Sequence, residues 1–412
     1  MDQLTVQVHV NESWQDAGTI KLLDSPSLGL KARTKFTYDI DYAVEHLEER
    51  GQSAASLGLP VRITDQSFPG WPPFLLDLFP EGAALKYIEK IYQLEINEAN
   101  YWNVLNKVVV APPGNVRLRP NQLAETNSKH KGFPREDILD KRKDFLEHMI
   151  RNGAAIGGAT AAQGGAPKFL LREDHQGRFH ADLALGDQDT ARCWLVKFPR
   201  GSREDDFKIL AHEAIYIKIA RTLGIRTQEL PIWERDCLFV QRFDRLDQPL
   251  KYIGLESLSS ASGIADFGVP THHETFLKVI AKQSSHPAKD ILEYLQREVL
   301  NTSMGNTDNH GRNTAFMKIN EEVRLAPLYD FAPMQFDPEL IAPSTTWKNQ
   351  PFDLSQLDSK YQSEVFEGFR NFTSNLIDLE HLMIKEGVDK TYIDKTHNQR
   401  RDLTELLQTK FL

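Results

Sequence analysis

Cysteine is nearly absent: the 412 residues hold two, Cys193 and Cys237. Two thiols cannot build a disulfide framework, and no Cys-x-x-Cys spacing for zinc or redox chemistry exists. Both lie in apolar, strand-like runs and read as small buried hydrophobes. Long apolar runs are also missing, and none approaches the roughly 18 residues needed to span a bilayer. The opening Met1-Asp-Gln-Leu-Thr-Val6 has no basic stretch followed by an apolar one, so the expected place is the cytoplasm, with no membrane contact. Positive charge is not in excess: 49 Lys and Arg against 58 Asp and Glu leave a net charge of -9, which opposes a broad nucleic-acid or anionic-membrane surface. The Gly-x-Ser-x-Gly elbow, the Walker A loop and the Gly-x-Gly-x-x-Gly fingerprint are all lacking, which removes three familiar routes to chemistry. What remains is a folded composition, 40% hydrophobic and 26% charged, in a chain long enough for two or three domains.

Organisation follows from periodicity. Leu4 to Val10 alternates at a period of two and predicts a half-buried strand. Residues 60–80 are crowded with proline and aromatics. Pro80-Glu-Gly-Ala then opens a predicted helix with Leu85, Ile88 and Ile91 on one face. Breakers and polar residues from Ala111 to Pro134 mark a module boundary. Glu136 to Asn152 reads as one helix with Ile138, Leu139, Phe145, Met149 and Ile150 as its stripe, stopped by Gly153. A Gly/Ala run to Pro167 follows. Strand signals come next at 168–171, 179–185 and 194–198, then a helix at 207–223 and a strand at 238–243. The remainder is mostly helical in pattern. The expected modules are 1–125, 135–245 and 246–412.

Three groups of residues carry chemistry. Gly157, Gly158, Gly164 and Gly165 allow backbone N–H groups to approach phosphate oxygens where a Cβ would obstruct; Lys168, just beyond, either meets a phosphate or is a solvated strand residue. Lys197 sits inside the apolar strand Trp194-Leu-Val-Lys-Phe198, where a cation needs a counter-charge. Glu213, on the following helix, is the natural partner. The sharpest signal is Gly305-Asn-Thr-Asp-Asn-His-Gly-Arg-Asn313 with Asp330 behind it. An Asp-x-x-x-x-Asn pair followed by a second Asp is how a protein-kinase site supplies a proton acceptor, Asp308, and two metal ligands, Asn313 and Asp330. The alternative is a plain polar turn, since Asn, Asp and Gly favour turns. His310 either braces this loop or binds nothing. His272, His273 and Glu274 form the only other tight cluster, but adjacent histidines on a helix diverge and cannot share a metal as an i, i+4 pair does.

These residues resemble the HipA family of serine/threonine kinases, the toxin halves of bacterial toxin–antitoxin pairs. Residues 305–313 are similar to that family's catalytic loop, and Ala326-Pro-Leu-Tyr-Asp330 to its metal motif. Leu195-Val-Lys-Phe-Pro199 looks like the lysine strand, Phe239-Val-Gln-Arg-Phe-Asp-Arg245 like the hinge, and Pro73 to Gly82 like the segment ending Leu-Pro-Glu-Gly. The resemblance implies an α+β, bilobal, protein-kinase-like fold with a small N-terminal α/β module packed on the small lobe. It also implies ATP and Mg²⁺ as cofactors. Gly164, Gly165, Lys168, Lys197, Glu213, Gln241, Phe243 and His310 would face the nucleotide, Asp308 would be catalytic, and Asn313 and Asp330 would hold metal. Phosphate would pass to a hydroxyl of a protein substrate, with a translation component such as an aminoacyl-tRNA synthetase a fitting target, and growth would arrest. A HipB-like antitoxin is the implied partner, and DNA is contacted only through that complex. Members carry a serine ahead of the loop's glycine pair whose phosphorylation shuts off activity. Here that place holds Ala161, with Thr160 beside it, so self-modification has either moved to Thr160 or is missing.

Two other functions fit the same residues. One is a catalytically weak or inactive kinase-shaped body that holds an antitoxin–DNA complex. The other is a small-molecule kinase.

Overall fold

The computed structural model describes residues 2–80, 82–107, 111–119, 131–141, 143–151, 167–246 and 249–412. Glycines 157, 158, 164 and 165, Thr160 and Ala161 lie outside the described residues.

The chain opens as an antiparallel sheet. β1 (Gln3–Val10), β2 (Ser13–Leu22), β3 (Thr34–Tyr38), β4 (Gln66–Phe68) and β5 (Val116–Leu118) stand in the order β4-β3-β2-β1-β5. The alternation that predicted β1 places Leu4, Val6, Val8 and Val10 inside. Helices α1 (Ile40–Glu45), α2 (Phe74–Asp77), α3 (Gly82–Tyr92) and α4 (Tyr101–Lys107) accompany this sheet. Its core includes Val6, Ile20, Phe36, Trp71, Leu75 and Trp102. His9 departs from the alternation and is buried because its ring stacks on Tyr252, centroids 3.9 Å apart, from a distant part of the chain.

Next come α5 (Arg135–Leu139) and α6 (Lys143–Arg151). One continuous helix was expected over 136–152, and the structure breaks it. Lys141 takes φ 52° and lays its ammonium toward the rings of Phe198 and Phe207, so α5 stops while Ile138, Leu139, Phe145 and Met149 still join one cluster. A second antiparallel sheet follows: β6 (Lys168–Asp174), β7 (Phe179–Ala181), β8 (Thr190–Lys197), β9 (Ile232–Glu234) and β10 (Cys237–Gln241), in the order β7-β6-β8-β10-β9. Helix α7 (Glu204–Thr222) packs against it. The strand expected over 179–185 ends at Ala181, because the next residue, Asp182, turns inward to the buried guanidinium of Arg242 at 2.8 Å. Cys193 and Cys237 are buried in β8 and β10.

The rest is mainly helical. Ribbon β11 (Arg245–Leu246) and β12 (Lys251–Tyr252) leads to β13 (Gly254–Ser257) and α8 (Leu258–Ala261), then β14 (Thr271–His272), α9 (His273–Gln283) and α10 (Pro287–Met304). β15 (Ala315–Ile319) and β16 (Glu322–Leu325) complete a three-stranded sheet with β13, and β17 (Thr345–Thr346) pairs with β14. Helices α11 (Ser359–Asn375), α12 (Leu379–Glu386) and α13 (Lys390–Phe411) close the body around Leu295, Val299, Phe369 and Leu407. No helix among the described residues is long and apolar enough to cross a membrane.

The first module was expected on the small lobe. It touches that region through Ala84, which joins the cluster of Phe133 and Phe145. Its polar contacts reach both the hinge at the end of that region and the sheet of the helical body. Ser56 Oγ and Leu57 N–H donate to Glu256, Gly114 N–H donates to Asp244, and Lys318 donates to the Ala54 carbonyl.

His9 lies in this junction. Burial, helped by the guanidinium groups of Arg245, Arg117 and Arg172 and opposed by Asp187, lowers its pKa to about 4. An imidazole held neutral in the fold but free to protonate near 6.5 when unfolded gives stability that is whole above 6.5 and lost as pH falls toward 4. At pH 5 the loss is about 2 kcal/mol. Urea unfolding at pH 7 and pH 5 should therefore show a smaller difference for His9→Phe than for wild type; an equal difference refutes the assignment.

Candidate functional site

Cross-strand register brings two lysines together. Lys168 in β6 is paired with Lys197 in β8, so at a strand period of two both ammonium groups leave the same face. Like charges placed opposite each other are unfavourable unless neutralised. Neutralisation comes from afar: Lys197 Nζ lies 2.6 and 2.8 Å from the two carboxylate oxygens of Glu213 in α7. It also bonds Asp330 Oδ1, while Lys168 Nζ lies 3.1 Å from Asp330 Oδ2. Lys168 is thus no solvated strand residue. Burial disfavours the charge on Asp330, yet Lys168 and Lys197 outweigh it and hold the carboxyl well below the usual carboxylate range. Burial likewise opposes the charge on Lys197, but Asp330 and Glu213 push its pKa above an ordinary lysine's. For Glu213 burial dominates and raises the pKa despite Lys197.

Asp330 is presented by unusual backbone. β16 ends at Leu325, and Leu328 then bridges to Thr227. Asp330 follows with φ 54°, a left-handed conformation that costs a non-glycine residue about 1–3 kcal/mol and persists where surroundings enforce it. Phe331 behind it is fully buried against Tyr216 of α7, whose hydroxyl donates to the Met304 carbonyl at the end of α10.

The Asp308 loop is set by α10. That helix stops where Gly305 takes φ 74°, and Asn306 N–H returns to the Asn301 carbonyl. Asp308 and Asn313 are buried. The Asn313 amide nitrogen donates to the Asp308 carbonyl at 2.8 Å. His310 Nδ1 accepts from the Arg312 N–H, and its Nε2 lies 3.2 Å from Asp308 Oδ1 without a hydrogen-bond partner.

Two adjoining cavities contain these groups. One is walled by Leu170, Leu195, Val240 and Leu255, with Gln241 and Phe243 at the end of β10, and has Lys197, Glu213 and Asp330 along it. The other holds Asp308, His310 and Asn313. Tyr329 and Asp330 line both, and Phe243 packs on Tyr329 at 5.7 Å. Lys197, Glu213, Gln241, Phe243, Asp308, His310, Asn313 and Asp330 therefore line two cavities that share Asp330, to which Lys168 also reaches; Gly157, Gly158, Gly164, Gly165 and Thr160 lie outside the described residues.

An apolar slot leading to cations suits a nucleotide base and its phosphates. Asn313 Oδ1 is buried without a hydrogen-bond partner. A carboxamide oxygen and a carboxylate form a hard donor set of the kind Mg²⁺ uses, with phosphate and water completing its shell. Asn313 and Asp330 are the side chains that would hold it. The His272, His273 and Glu274 side chains face separate partners. His273 Nδ1 meets the Tyr294 hydroxyl at 2.8 Å, Glu274 accepts backbone N–H groups from Lys348 and Asn349, and His272 contacts Thr346 at 3.5 Å.

Sequence reasoning missed a second charge cluster at the hinge. Buried Arg242 bonds Asp182 and Asp244, and Arg172 bonds Asp182 and Asp187. Arg245 bonds Asp244 and the Gly114 carbonyl. The signal was there: Arg242-Phe-Asp-Arg245 continues an apolar strand, the same anomaly that exposed Lys197.

A five-stranded sheet with a lysine paired to a helix glutamate, set over a helical body whose loops carry Asp308, Asn313 and Asp330, defines a protein-kinase-like α+β fold. Residues 156–385 match the HipA-like C-terminal domain and residues 13–119 the HipA N-terminal domain, so the chain belongs to the HipA family. Its fold is similar over 98% of the chain to that of a protein in the structure titled Shewanella oneidensis MR-1 Toxin Antitoxin System HipA, HipB and its operator DNA complex, at TM-score 0.64 and 16% identity, covering 96% of that chain. Among curated proteins it is similar to two from Sinorhizobium fredii. "Putative kinase Y4mE" is 28% identical over 35% of this chain and 36% of its own length. "Putative kinase Y4dM" is 23% identical over 63% of this chain and 61% of its own length. The matches thus span less than two thirds of either relative.

Removing Lys197 leaves Glu213 and part of Asp330 buried without compensation. Lys197→Met should destabilise by about 3–5 kcal/mol, read from denaturant unfolding, and adding Glu213→Leu should restore part of the loss. Equal stability of wild type and Lys197→Met refutes the buried pairing.

Proposed function

We propose that this protein is an ATP- and Mg²⁺-dependent serine/threonine protein kinase, the toxin of a toxin–antitoxin pair, whose target is a protein of translation. One observation carries the reading: Lys168, Lys197, Glu213 and Asp330 meet at the junction of an apolar slot and the cavity of Asp308 and Asn313. Residues 135–245 act as the small lobe and 246–412 as the large one.

The chain's own groups divide the work. Leu170, Leu195, Val240 and Leu255 exclude water from the base. Lys197, held straight by Glu213, and Lys168 direct cationic charge at the phosphates, where the transition state spreads negative charge. Mg²⁺, held by Asn313 and Asp330, supplies further neutralisation of that charge when bound. Asp308 accepts the proton of the acceptor hydroxyl as its oxygen bonds to the γ-phosphorus and the bond to the ADP oxygen breaks. His310 flanks the Asp308 carboxylate, its Nε2 3.2 Å from Oδ1 without a hydrogen bond between them.

The similar Shewanella fold was determined with HipB and operator DNA, which supports a HipB-like antitoxin for this chain. With a net charge of -9 the toxin relies on that partner for DNA contact. A non-catalytic binding body has no physical need for buried carboxylates gathered at one cleft, which favours catalysis over that reading.

Loss of a general base costs on the order of 10²- to 10⁴-fold in rate. Asp308→Asn should therefore lose that much transfer from γ-labelled ATP into protein of a cell extract while its ATP affinity stays near wild type. Equal incorporation by both refutes the assignment. Label recovered only in small molecules points to a small-molecule kinase.

A further inference from the structure

The N-terminal module does more in this structure than cover a face. Asp77, at the end of α2, sends its carboxylate across the module boundary. Oδ1 accepts from the Ser257 hydroxyl at 2.7 Å and Oδ2 from the Ser257 N–H at 3.0 Å, and Oδ1 also lies 3.2 Å from Arg312 Nη1. Arg312 stands between His310 and Asn313 in the loop that carries Asp308. Its guanidinium also lies over the Phe267 ring at 4.8 Å, and its carbonyl accepts from the Tyr329 hydroxyl at 2.9 Å, next to Asp330. Ser257 is as central as Arg312. It starts α8, whose first N–H groups bond the loop's backbone: Leu258 N–H to the Thr314 carbonyl at 2.8 Å and Ser259 N–H to the Gly311 carbonyl at 3.1 Å. One carboxylate of the first module thus grips both the side chain of the loop and the helix start that holds the loop's backbone.

We propose that Asp77 is a positioning residue for the Asp308 loop, acting through Arg312, so that the N-terminal module sets the geometry of phosphoryl transfer. This deepens the kinase reading and rests on it for its rate arm. A carboxylate that served only as glue could lie at the rim. Asp77 is instead largely enclosed, its side chain 16% exposed, and burial raises its pKa in spite of Arg312 and Ser257. Other anchors of the module, Ser56 and Leu57 on Glu256 and the Ala54 carbonyl on Lys318, hold the same sheet through residues outside the loop. They separate docking from positioning.

The experiment compares Asp77→Asn, Arg312→Gln, Arg312→Lys and Ser56→Ala in the full chain. The readouts are kcat and KM for ATP, the melting temperature, and hydrogen exchange of peptides covering 306–314. Because sub-ångström misplacement of a reacting group is costly, Asp77→Asn and Arg312→Gln should lower kcat on the order of 10- to 100-fold with KM for ATP within about twofold. Both should speed exchange at 306–314. Arg312→Lys, which keeps a cation, should retain more activity than Arg312→Gln. Ser56→Ala should loosen docking, seen as a lower melting temperature, with kcat within about twofold of wild type. Equal falls in kcat for Asp77→Asn and Ser56→Ala, or unchanged exchange at 306–314 in both Asp77→Asn and Arg312→Gln, overturn the proposal. If Asp77→Asn fails to fold, the Arg312 pair decides from the other side. If wild type transfers no phosphate, the kinase reading fails while the exchange arm still decides whether Asp77 orders the loop.

Discussion

A single ammonium group shut away from water organises this molecule. Lys197 lies on an apolar strand, where a lone cation is untenable, and its two counter-charges arrive from different directions: Glu213 on α7 and Asp330 from the loop after β16. Satisfying that charge fixes the helix on the sheet and draws the aspartate of the helical body to the same point. The paired strand repeats the demand, since Lys168 stands opposite Lys197 and takes the other oxygen of Asp330. Buried ion clusters add little net stability compared with apolar packing, but a broken one is severely penalised. Their contribution here is geometric, because few arrangements of these elements satisfy all four groups.

The same logic recurs at the hinge and at the module boundary. Arg172, Asp182, Arg242, Asp244 and Arg245 form a buried lattice behind the end of β10, and Gly114 from the first module closes it. Asp77 and Glu256 hold the module against β13 and α8. Polar contacts of this kind define orientation more sharply than apolar ones, because each demands a partner at bonding distance. A cleft whose walls belong to separate segments of chain depends on such contacts to keep its chemistry aligned.

Much of this was legible in the residues and some was not. Lys197 betrayed itself by sitting in an apolar strand, Glu213 by being the acidic residue on the next helix, and Asp308, Asn313 and Asp330 by their spacing. The alternation of β1 and the strand around Lys197 also read correctly, since local periodicity reports which face is buried. Lys141 was opaque because nothing apolar is lost at that position, so the stripe from Ile138 to Met149 ran through the break unchanged. The early end of β7 depends on Asp182 finding Arg242 sixty residues later. Asp77 looked like part of a proline- and aromatic-rich run, and its partner Arg312 is 235 residues away. Long-range charge pairs leave only a faint mark in one dimension, a polar residue in the wrong company, and the partner is not written beside it.

Diffraction from crystals grown with Mn²⁺ and a non-hydrolysable ATP analogue would show where nucleotide and metal bind, because anomalous scattering locates the cation independently of any activity. The cation is expected on Asn313 Oδ1 and the Asp330 carboxylate, with the base between Leu170, Leu195, Val240 and Leu255 and the phosphates at Lys197. A nucleotide seated outside that cleft, or a cation remote from both residues, contradicts that placement.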